Sequence, residues 1–308
     1  MVETKTNMLQ TELCGITLDN PVMAASGTFG YGREFAELYD INCLGSFSFK
    51  GTTLEPRFGN PTPRIAECEA GLINSIGLQN PGVEKVIEEE LPHLATIFDK
   101  KVMANIGGFS VEEYAQVAQR LDLCDQIGWI EVNISCPNVK EGGIAFGQDP
   151  KAVEAITKEV KKVAKQPIIM KLSPNVTDIT VMAKAAEAGG ADALSLINTI
   201  TGMKIDVERQ KFALANKTGG LSGPAIKPVA VRMVYQVANA VNIPIIGMGG
   251  IKDANDAMEF ILAGATAVSI GTANFTNPLV TEEVVAGIED YMRRHNVEDI
   301  NSLIGLVK

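Results

Sequence analysis

Two lysines, Lys50 and Lys171, end apolar, β-branched runs of the sequence. Lysine is rarely buried in such a run without a partner, so both side chains are candidates for binding or chemistry. One interpretation is a Schiff-base lysine, and a second is a cation that faces an anionic group of a ligand. A third is a side chain that extends from the strand end into solvent and buries only its methylene groups.

Cys136 is the cysteine whose surroundings favour chemistry. It ends an apolar run, precedes Pro137 and opens a glycine-rich segment at 141–147. A thiol has a reference pKa of about 8.5, so a modest lowering gives a base that works near neutral pH. The alternative is a small buried hydrophobic side chain, which is what a lone cysteine usually is.

The histidines of the chain are poor candidates for an acid–base role. The chain has two histidines, His93 and His295, and both lie in polar, helix-like surroundings. A multi-histidine metal site is therefore excluded and a histidine-based triad is disfavoured, so we expect no metal.

Asparagines form a third group of candidates, because they fall at the ends of apolar runs or in long loops. Each side-chain amide both donates and accepts a hydrogen bond, so several converging amides suit a planar cyclic ligand such as a pyrimidine. Turn formation would explain any one of them equally well. They are Asn74, Asn80, Asn133, Asn138 and Asn198.

Glycines follow the last two apolar runs, as Gly249-Gly250 and Gly271-Thr272. Their backbone N–H groups can approach a ligand closely, and in parallel barrels this is the usual position for a phosphate. Tight turns are the alternative explanation. The chain has neither a G-x-G-x-x-G that opens a helix after a strand nor a P-loop, so these two nucleotide sites are unsupported.

Eight short apolar runs could position these groups. Each is continuously apolar, as is typical of parallel strands buried on both faces, and amphipathic stretches separate many of them. The runs are 22–26, 43–50, 102–106, 129–135, 168–173, 193–198, 243–249 and 267–272, and the predicted helices include 111–123, 150–164, 178–188, 225–241, 253–263 and 281–294.

Eight strand-then-helix units predict an α/β fold, a (β/α)8 TIM barrel in a single domain over residues 1–308. An open, doubly wound sheet is the competing architecture. Residues 8–17 alternate around Cys14-Gly15, which predicts an N-terminal β-hairpin that plugs the bottom of the barrel. Three long loops, 51–82, 136–149 and 199–223, follow strand ends and would meet at the C-terminal face.

Composition narrows the function classes. The 308 residues carry a net charge of −10, which argues against binding to nucleic acid or to an anionic membrane surface. Five scattered cysteines without a C-x-x-C pair are typical of a reducing cytoplasm. The N-terminus has no apolar signal core, and no apolar run approaches the roughly twenty residues of a membrane span.

Taken together, the motifs resemble class 1 dihydroorotate dehydrogenases over essentially the whole chain. The Ser-Cys-Pro-Asn-Val-Lys stretch and the glycines after it resemble the 1B subtype. The segments that carry the resemblance are 20–27, 50–52, 74–82, 133–140 and 249–251.

The resemblance implies one FMN at the C-terminal face of the barrel, with dihydroorotate stacked on it. The residues that it assigns to FMN are Ser26, Lys50, Gly51, Asn105, Asn133, Lys171, Ile197, Gly223, Gly249, Gly250, Gly271 and Thr272. Those that it assigns to the substrate are Lys50, Asn74, Ser75, Ile76, Gly77, Leu78, Asn133, Asn138, Asn198 and Thr199.

The resemblance also implies the reaction. Cys136 would remove the C5 proton of (S)-dihydroorotate while the C6 hydride passes to the flavin, giving orotate for pyrimidine (UMP) synthesis. A partner subunit with FAD and a [2Fe-2S] cluster would carry the electrons to NAD+, with a homodimer of this chain at the core of a heterotetramer. The alternatives are a fumarate-dependent 1A-like enzyme, a Schiff-base lyase that uses Lys171, and a non-catalytic binding scaffold.

Overall fold

The computed structural model describes residues 7–135 and 146–307. In chain order the strands are β1 (Thr11–Leu13), β2 (Ile16–Leu18), β3 (Val22–Ala24), β4 (Ser46–Phe47), β5 (Ile65–Cys68), β6 (Gly71–Asn74), β7 (Val102–Ile106), β8 (Ile127–Asn133), β9 (Ile168–Lys171), β10 (Ala193–Leu196), β11 (Ile200–Met203), β12 (Ile205–Asp206), β13 (Lys211–Phe212), β14 (Thr218–Ser222), β15 (Ile245–Met248) and β16 (Ala267–Ile270).

Eight of these strands form one parallel sheet, in the order β4-β3-β16-β15-β10-β9-β8-β7. Parallel bridges from Ser48 to Met103 and from Thr52 to Ile106 join the two ends of that order. The sheet therefore closes on itself, which confirms the (β/α)8 barrel and rules out the open sheet. Each of the eight predicted runs overlaps one barrel strand.

Helices cover the outside of the barrel. Those in the described ranges are α1 (Arg33–Ala36), α2 (Val83–Lys85), α3 (Leu91–Ile97), α4 (Val111–Leu121), α5 (Pro150–Val163), α6 (Ile179–Ala188), α7 (Lys227–Ala238), α8 (Ala254–Leu262), α9 (Ala273–Thr276) and α10 (Val280–Arg294). A π-helical turn, Val86–Glu90, joins α2 to α3. Asp178 and Asp253 accept hydrogen bonds from N–H groups of the first turns of α6 and α8, as their N-cap positions predict.

Alternate residues of each strand face two different cores. On β8, Ile130 and Val132 pack outward against the helices. Trp129, from the same strand, packs inside the barrel with Met23, Met103 and other apolar side chains. The barrel interior is thus filled by side chains at this level, as in other barrels of eight strands.

The predicted N-terminal hairpin is the antiparallel pair β1–β2, which turns at Cys14-Gly15. Leu13 and Leu18 belong to the interior core, and the indole N–H of Trp129 donates to the carbonyl of Leu13 at 3.0 Å. The hairpin therefore covers the N-terminal end of the barrel, as expected.

A second, four-stranded antiparallel sheet has the order β11-β14-β6-β5 and was not predicted from the sequence. Its strands come from two of the long loops, 51–82 and 199–223, and β14 pairs with β6 across almost 150 residues of sequence. Residues 205–206 and 211–212 form a further small hairpin beside it.

Candidate active site

A cavity of about 820 Å³ opens at the carboxyl ends of the barrel strands. Its lining includes residues that lie at or within three positions of the carboxyl ends of all eight barrel strands, together with residues of the antiparallel sheet. The carboxyl ends of parallel barrel strands all meet at one face, so this location follows directly from the fold.

Apart from Asn80, the cavity brings together the candidate site residues that lie in the described ranges. These residues are Ser26, Lys50, Gly51, Asn74, Ser75, Ile76, Gly77, Leu78, Asn105, Asn133, Lys171, Ile197, Asn198, Thr199, Gly223, Gly249, Gly250, Gly271 and Thr272. Asn80 does not line it; its buried amide instead bonds to Thr53, to the carbonyl of Leu78 and to the N–H of Gly82, which is the turn-forming role. Cys136 and Asn138 lie outside the described residues. Neither His93 nor His295 is among the residues that line the cavity.

Lys171 ends β9, and only 5% of its surface is exposed. Its ammonium lies 3.7 Å from the carboxylate of Glu131 and 3.4 Å from the hydroxyl of Ser26. An ammonium group has three protons to donate, and both of these contacts are long. Within the described part of the chain, Lys171 therefore retains donor capacity toward the cavity.

Glu131 lies inside the barrel between Trp129 and Asn133 on β8, and 1% of its surface is exposed. The Ser48 hydroxyl and the Asn105 amide donate to its Oε2 at 2.9 and 2.6 Å. The Ser195 hydroxyl donates to its Oε1 at 2.7 Å. We call Glu131 with these three donors and Lys171 the floor network, because it lies directly beneath the cavity.

Asn133 is held in one orientation by its neighbours. Its side-chain oxygen accepts from the Asn198 amide and from the backbone N–H of Ser135, both at 3.2 Å. The Tyr114 hydroxyl donates to its backbone carbonyl at 2.8 Å. Because the oxygen is already engaged, the amide nitrogen of Asn133 is the atom left to donate to a ligand.

The glycines at the end of β15 meet the requirement for close backbone approach. Gly249 and Gly250 have φ values of 125° and 84°, which disfavour any side chain. A Cβ on Gly250 would stand 2.8 Å from the carbonyl of Gly223. Nearby, the Thr272 hydroxyl donates to the Ser222 hydroxyl at 2.8 Å. This region supplies backbone and hydroxyl groups of the kind that bind phosphate.

Lys50, which follows β4, brings positive charge to the cavity wall. Burial, and secondarily the charge of Arg64, lower the pKa of Lys50 below its usual value. Among the described residues, no carboxylate lies within 4.0 Å of its ammonium. An unpaired, largely buried cation on a cavity wall is well suited to bind an anionic ligand.

Two arginines that line the cavity were missed in the sequence. The Arg57 guanidinium stacks on the Phe109 ring, 4.3 Å from its centroid. Arg64 donates to the carbonyls of Phe58 and Asn60 and contacts Gln79. Both lie in the loop 51–82, and arginine in a long loop that follows a strand end was the only available signal.

Comparisons with known proteins agree with this arrangement. The family model for dihydroorotate dehydrogenase matches residues 8–292. The chain belongs to the dihydroorotate dehydrogenase family.

Curated relatives match nearly the whole chain. Proteins named dihydroorotate dehydrogenase B (NAD(+)), catalytic subunit, from Lachnoclostridium phytofermentans and Alkaliphilus oremlandii are 62% and 60% identical to it, over 96% and 98% of this chain and 98% and 99% of their own lengths. One of the same name from Bacillus pumilus is 54% identical over 97% of this chain and 96% of its own length. The family assignment makes this chain an oxidoreductase.

Proposed function

We propose that this chain is the FMN-carrying catalytic subunit of a 1B-type dihydroorotate dehydrogenase, and that residues 1–308 form its single domain. It oxidises (S)-dihydroorotate to orotate in pyrimidine (UMP) biosynthesis. The observation that carries the proposal is one cavity that gathers the described residues assigned to FMN and to the substrate by the family resemblance. The names of the relatives that match nearly the whole chain support the same activity.

The residues present fit FMN. The hydroxyls of Ser75 and Ser135 line the cavity, are buried, and have no hydrogen-bond partner among the described residues. Buried polar atoms are normally paired, so these two are suited to contact a ligand. The donor capacity of Lys171 and the positive-φ glycines at 249–250 add a cation and a backbone cradle.

Bound FMN would accept the hydride that leaves C6 of dihydroorotate. The backbone of Gly223, Gly249-Gly250 and Gly271-Thr272 would hold its phosphate. Lys171 would lie beside the ring edge on which negative charge develops, where a buried cation stabilises that charge most. Ser26, Lys50, Gly51, Asn105, Asn133 and Ile197 would line the rest of the cofactor.

Lys50 would bind the carboxylate of dihydroorotate, and polar groups around it would orient the ring. Asn133, whose amide nitrogen is directed by its two acceptor contacts, would donate to a ring carbonyl. The remaining substrate contacts would come from Asn74, Ser75, Ile76, Gly77, Leu78, Asn138, Asn198 and Thr199. Cys136 would remove the C5 proton as general base.

Electrons would leave through a partner. In the proposed assembly, a homodimer of this chain joins two electron-transfer subunits with FAD and [2Fe-2S], which reduce NAD+ in the cytoplasm. In the described ranges, no group of three histidine, cysteine or acidic side chains is placed to hold a metal, and no helix has the length and apolar character that a bilayer crossing requires.

The test is to purify the chain with and without the partner subunit, and to measure flavin content and orotate formation. We expect a yellow protein with one FMN per chain, and NAD+ reduction only in the presence of the partner. Fumarate reduction by the chain alone would support the 1A-like alternative. Failure to bind FMN would refute the proposal, and borohydride trapping of a substrate on Lys171 would instead support the lyase.

A further inference from the structure

Glu131 has no part in the proposed chemistry, yet it is the centre of the floor network. Its carboxylate accepts from Ser48, Asn105 and Ser195, and it lies 3.7 Å from the ammonium of Lys171. A buried carboxylate is costly unless it is well paired, and a hydrophobic core would serve packing at least as well. The fully bonded arrangement therefore points to a role other than stability.

We propose that Glu131 is a positioning residue that sets the reduction potential of the bound flavin. It does so in two ways, by fixing the orientation of Asn105 and by offsetting part of the charge of Lys171. The proposal rests on the proposed function to the extent that the cavity binds FMN. It concerns a residue that is not among those lining the cavity and that would act through two that are, Asn105 and Lys171.

The first effect is on hydrogen bonding. A carboxylate can only accept, so the Asn105 side chain must direct its amide nitrogen toward Glu131. Its oxygen then lies on the side of Gly51, 2.6 Å from where a Cβ of that glycine would stand. Asn105 thus presents an acceptor to the part of the cavity beside Gly51, and a ligand there must supply a donor. Without the carboxylate, nothing in the floor network fixes this choice.

The second effect is electrostatic. Lys171 would stabilise negative charge that a ligand gains on reduction, whereas the Glu131 carboxylate, 3.7 Å from the ammonium, would oppose that charge. Both side chains are almost completely buried, so solvent screens them weakly. Glu131 therefore holds the reduction potential of the flavin below the value that Lys171 alone would give.

The decisive variant is Glu131→Gln, which keeps the shape and removes the charge. We expect its bound flavin to have a higher midpoint potential, by at least a tenfold change in the reduction equilibrium or about 30 mV for two electrons. We also expect weaker FMN binding, because a glutamine side chain can donate to Asn105 and allow its amide to turn. Glu131→Asp, which keeps the charge, should show a smaller rise in potential.

Ser195→Ala provides a second, opposite test that leaves Glu131 in place. Ser195 is the donor to Oε1, so its removal leaves the carboxylate charge less stabilised and strengthens its effect on Lys171. The potential should then fall. Thr157→Val is the control, because Thr157 is equally buried but bonds within its own helix, to the carbonyl of Val153. Its potential should equal that of the wild type.

The measurements are FMN dissociation constants and midpoint potentials from titration with a chemical reductant and a reference dye. If Glu131→Gln binds FMN with the wild-type potential, the proposal is wrong and Glu131 is merely structural. If that variant does not fold, Ser195→Ala decides: a lowered potential supports the proposal and an unchanged one overturns it. Because the reductant is not dihydroorotate, a wild type that binds FMN but does not oxidise dihydroorotate would refute only the proposed function.

Discussion

The two ends of the barrel interior differ in chemistry, although the same strands build both. At the N-terminal end, Leu13, Leu18 and Trp129 fill the space with apolar contacts. At the C-terminal end the lining is polar and open, with Lys50, Lys171 and several amides around a cavity. Strand β8 shows the change within one element, because Trp129, Glu131 and Asn133 point inward in succession.

The difference between the two ends indicates that the N-terminal end of the barrel mainly stabilises the fold, whereas the C-terminal end carries the function. Packed apolar side chains contribute most to the free energy of folding, whereas a polar cavity contributes little and costs some. We therefore expect substitutions at the bottom to change stability with little effect on the kinetics of the folded enzyme. Substitutions at the top should do the reverse.

The largest expected effect is at Cys136. Cys136→Ser should slow reduction of bound flavin by dihydroorotate by about 10²–10⁴-fold. The pKa of a serine hydroxyl is so high that it stays protonated near neutral pH, and a protonated hydroxyl cannot act as the base. Rapid-mixing absorbance measurements would show this, and the rate should recover partly as the pH is raised. FMN content should not change.

Cys124→Ser is the matched control for this experiment. Burial raises the pKa of Cys124, and it is not among the cavity residues, so its replacement should leave the flavin-reduction rate unaltered. Equal rates for the wild type and Cys136→Ser at neutral pH would contradict the role of Cys136.

The next largest effect is at the bottom of the barrel. Trp129→Ala removes a fully buried ring and its hydrogen bond to Leu13, so it should lower the free energy of unfolding by about 3–5 kcal/mol. Denaturant titration measures this. At temperatures where the variant is folded, its KM for dihydroorotate should match that of the wild type.

Leu123→Ala is the control, because Leu123 is 77% exposed and its truncation should change stability by less than about 0.5 kcal/mol. A large change in the KM of Trp129→Ala for dihydroorotate would contradict the expectation that the N-terminal end of the barrel affects stability and not kinetics.

A smaller effect is expected at Lys50. Lys50→Met should raise KM for dihydroorotate about 10- to 100-fold, since a hydrogen bond to a charged group contributes about 1.5–3 kcal/mol. In the wild type, KM should rise as the pH passes through the lowered pKa of Lys50, because the cation is lost there. Lys50→Met should lack that pH dependence, and exposed Lys184→Met should retain it.

The lowered pKa of Lys50 also makes the stability of the folded chain depend on pH. The unfolded chain keeps the usual pKa of lysine, so between the two pKa values it binds more protons at Lys50 than the folded chain does. The destabilisation from burying the Lys50 cation is fully present at pH values below the pKa of Lys50 in the folded chain. It diminishes as the pH rises toward the unfolded value, so Lys50→Met should unfold at a higher temperature than the wild type near neutral pH.

Much of the scaffold could be predicted from the sequence, because it depends on local patterns. The eight apolar runs, the aspartate N-caps at Asp178 and Asp253, and the hairpin at Cys14-Gly15 are each contained in a short stretch of sequence. The convergence of Lys50, Asn133 and Lys171 followed from the barrel, since its geometry brings strand ends together.

Other features depend on contacts that no short stretch contains. Glu131 was missed because an apolar run was treated as uniform, although a carboxylate within it was itself a signal of a buried network. The antiparallel sheet was missed because β6 and β14 are distant in sequence and rich in glycine, which gives a weak strand pattern. Arg57 and Arg64 were missed for a related reason, because they lie in the loop 51–82 and line the cavity only once that loop is folded.

That antiparallel sheet also bears on the order of events during folding. Pairing β6 with β14 requires closure of a chain segment of almost 150 residues, and closing the barrel requires β3 to pair with β16 across a still longer segment. Neighbouring strands such as β7 and β8, in contrast, pair over a short connection. The cavity, which needs both long-range pairings, is therefore complete only after most of the chain has been made and folded. Newly made chains would pass through a stage in which neighbouring strands are paired but the cofactor has no enclosed place to bind, so FMN would be acquired late in maturation.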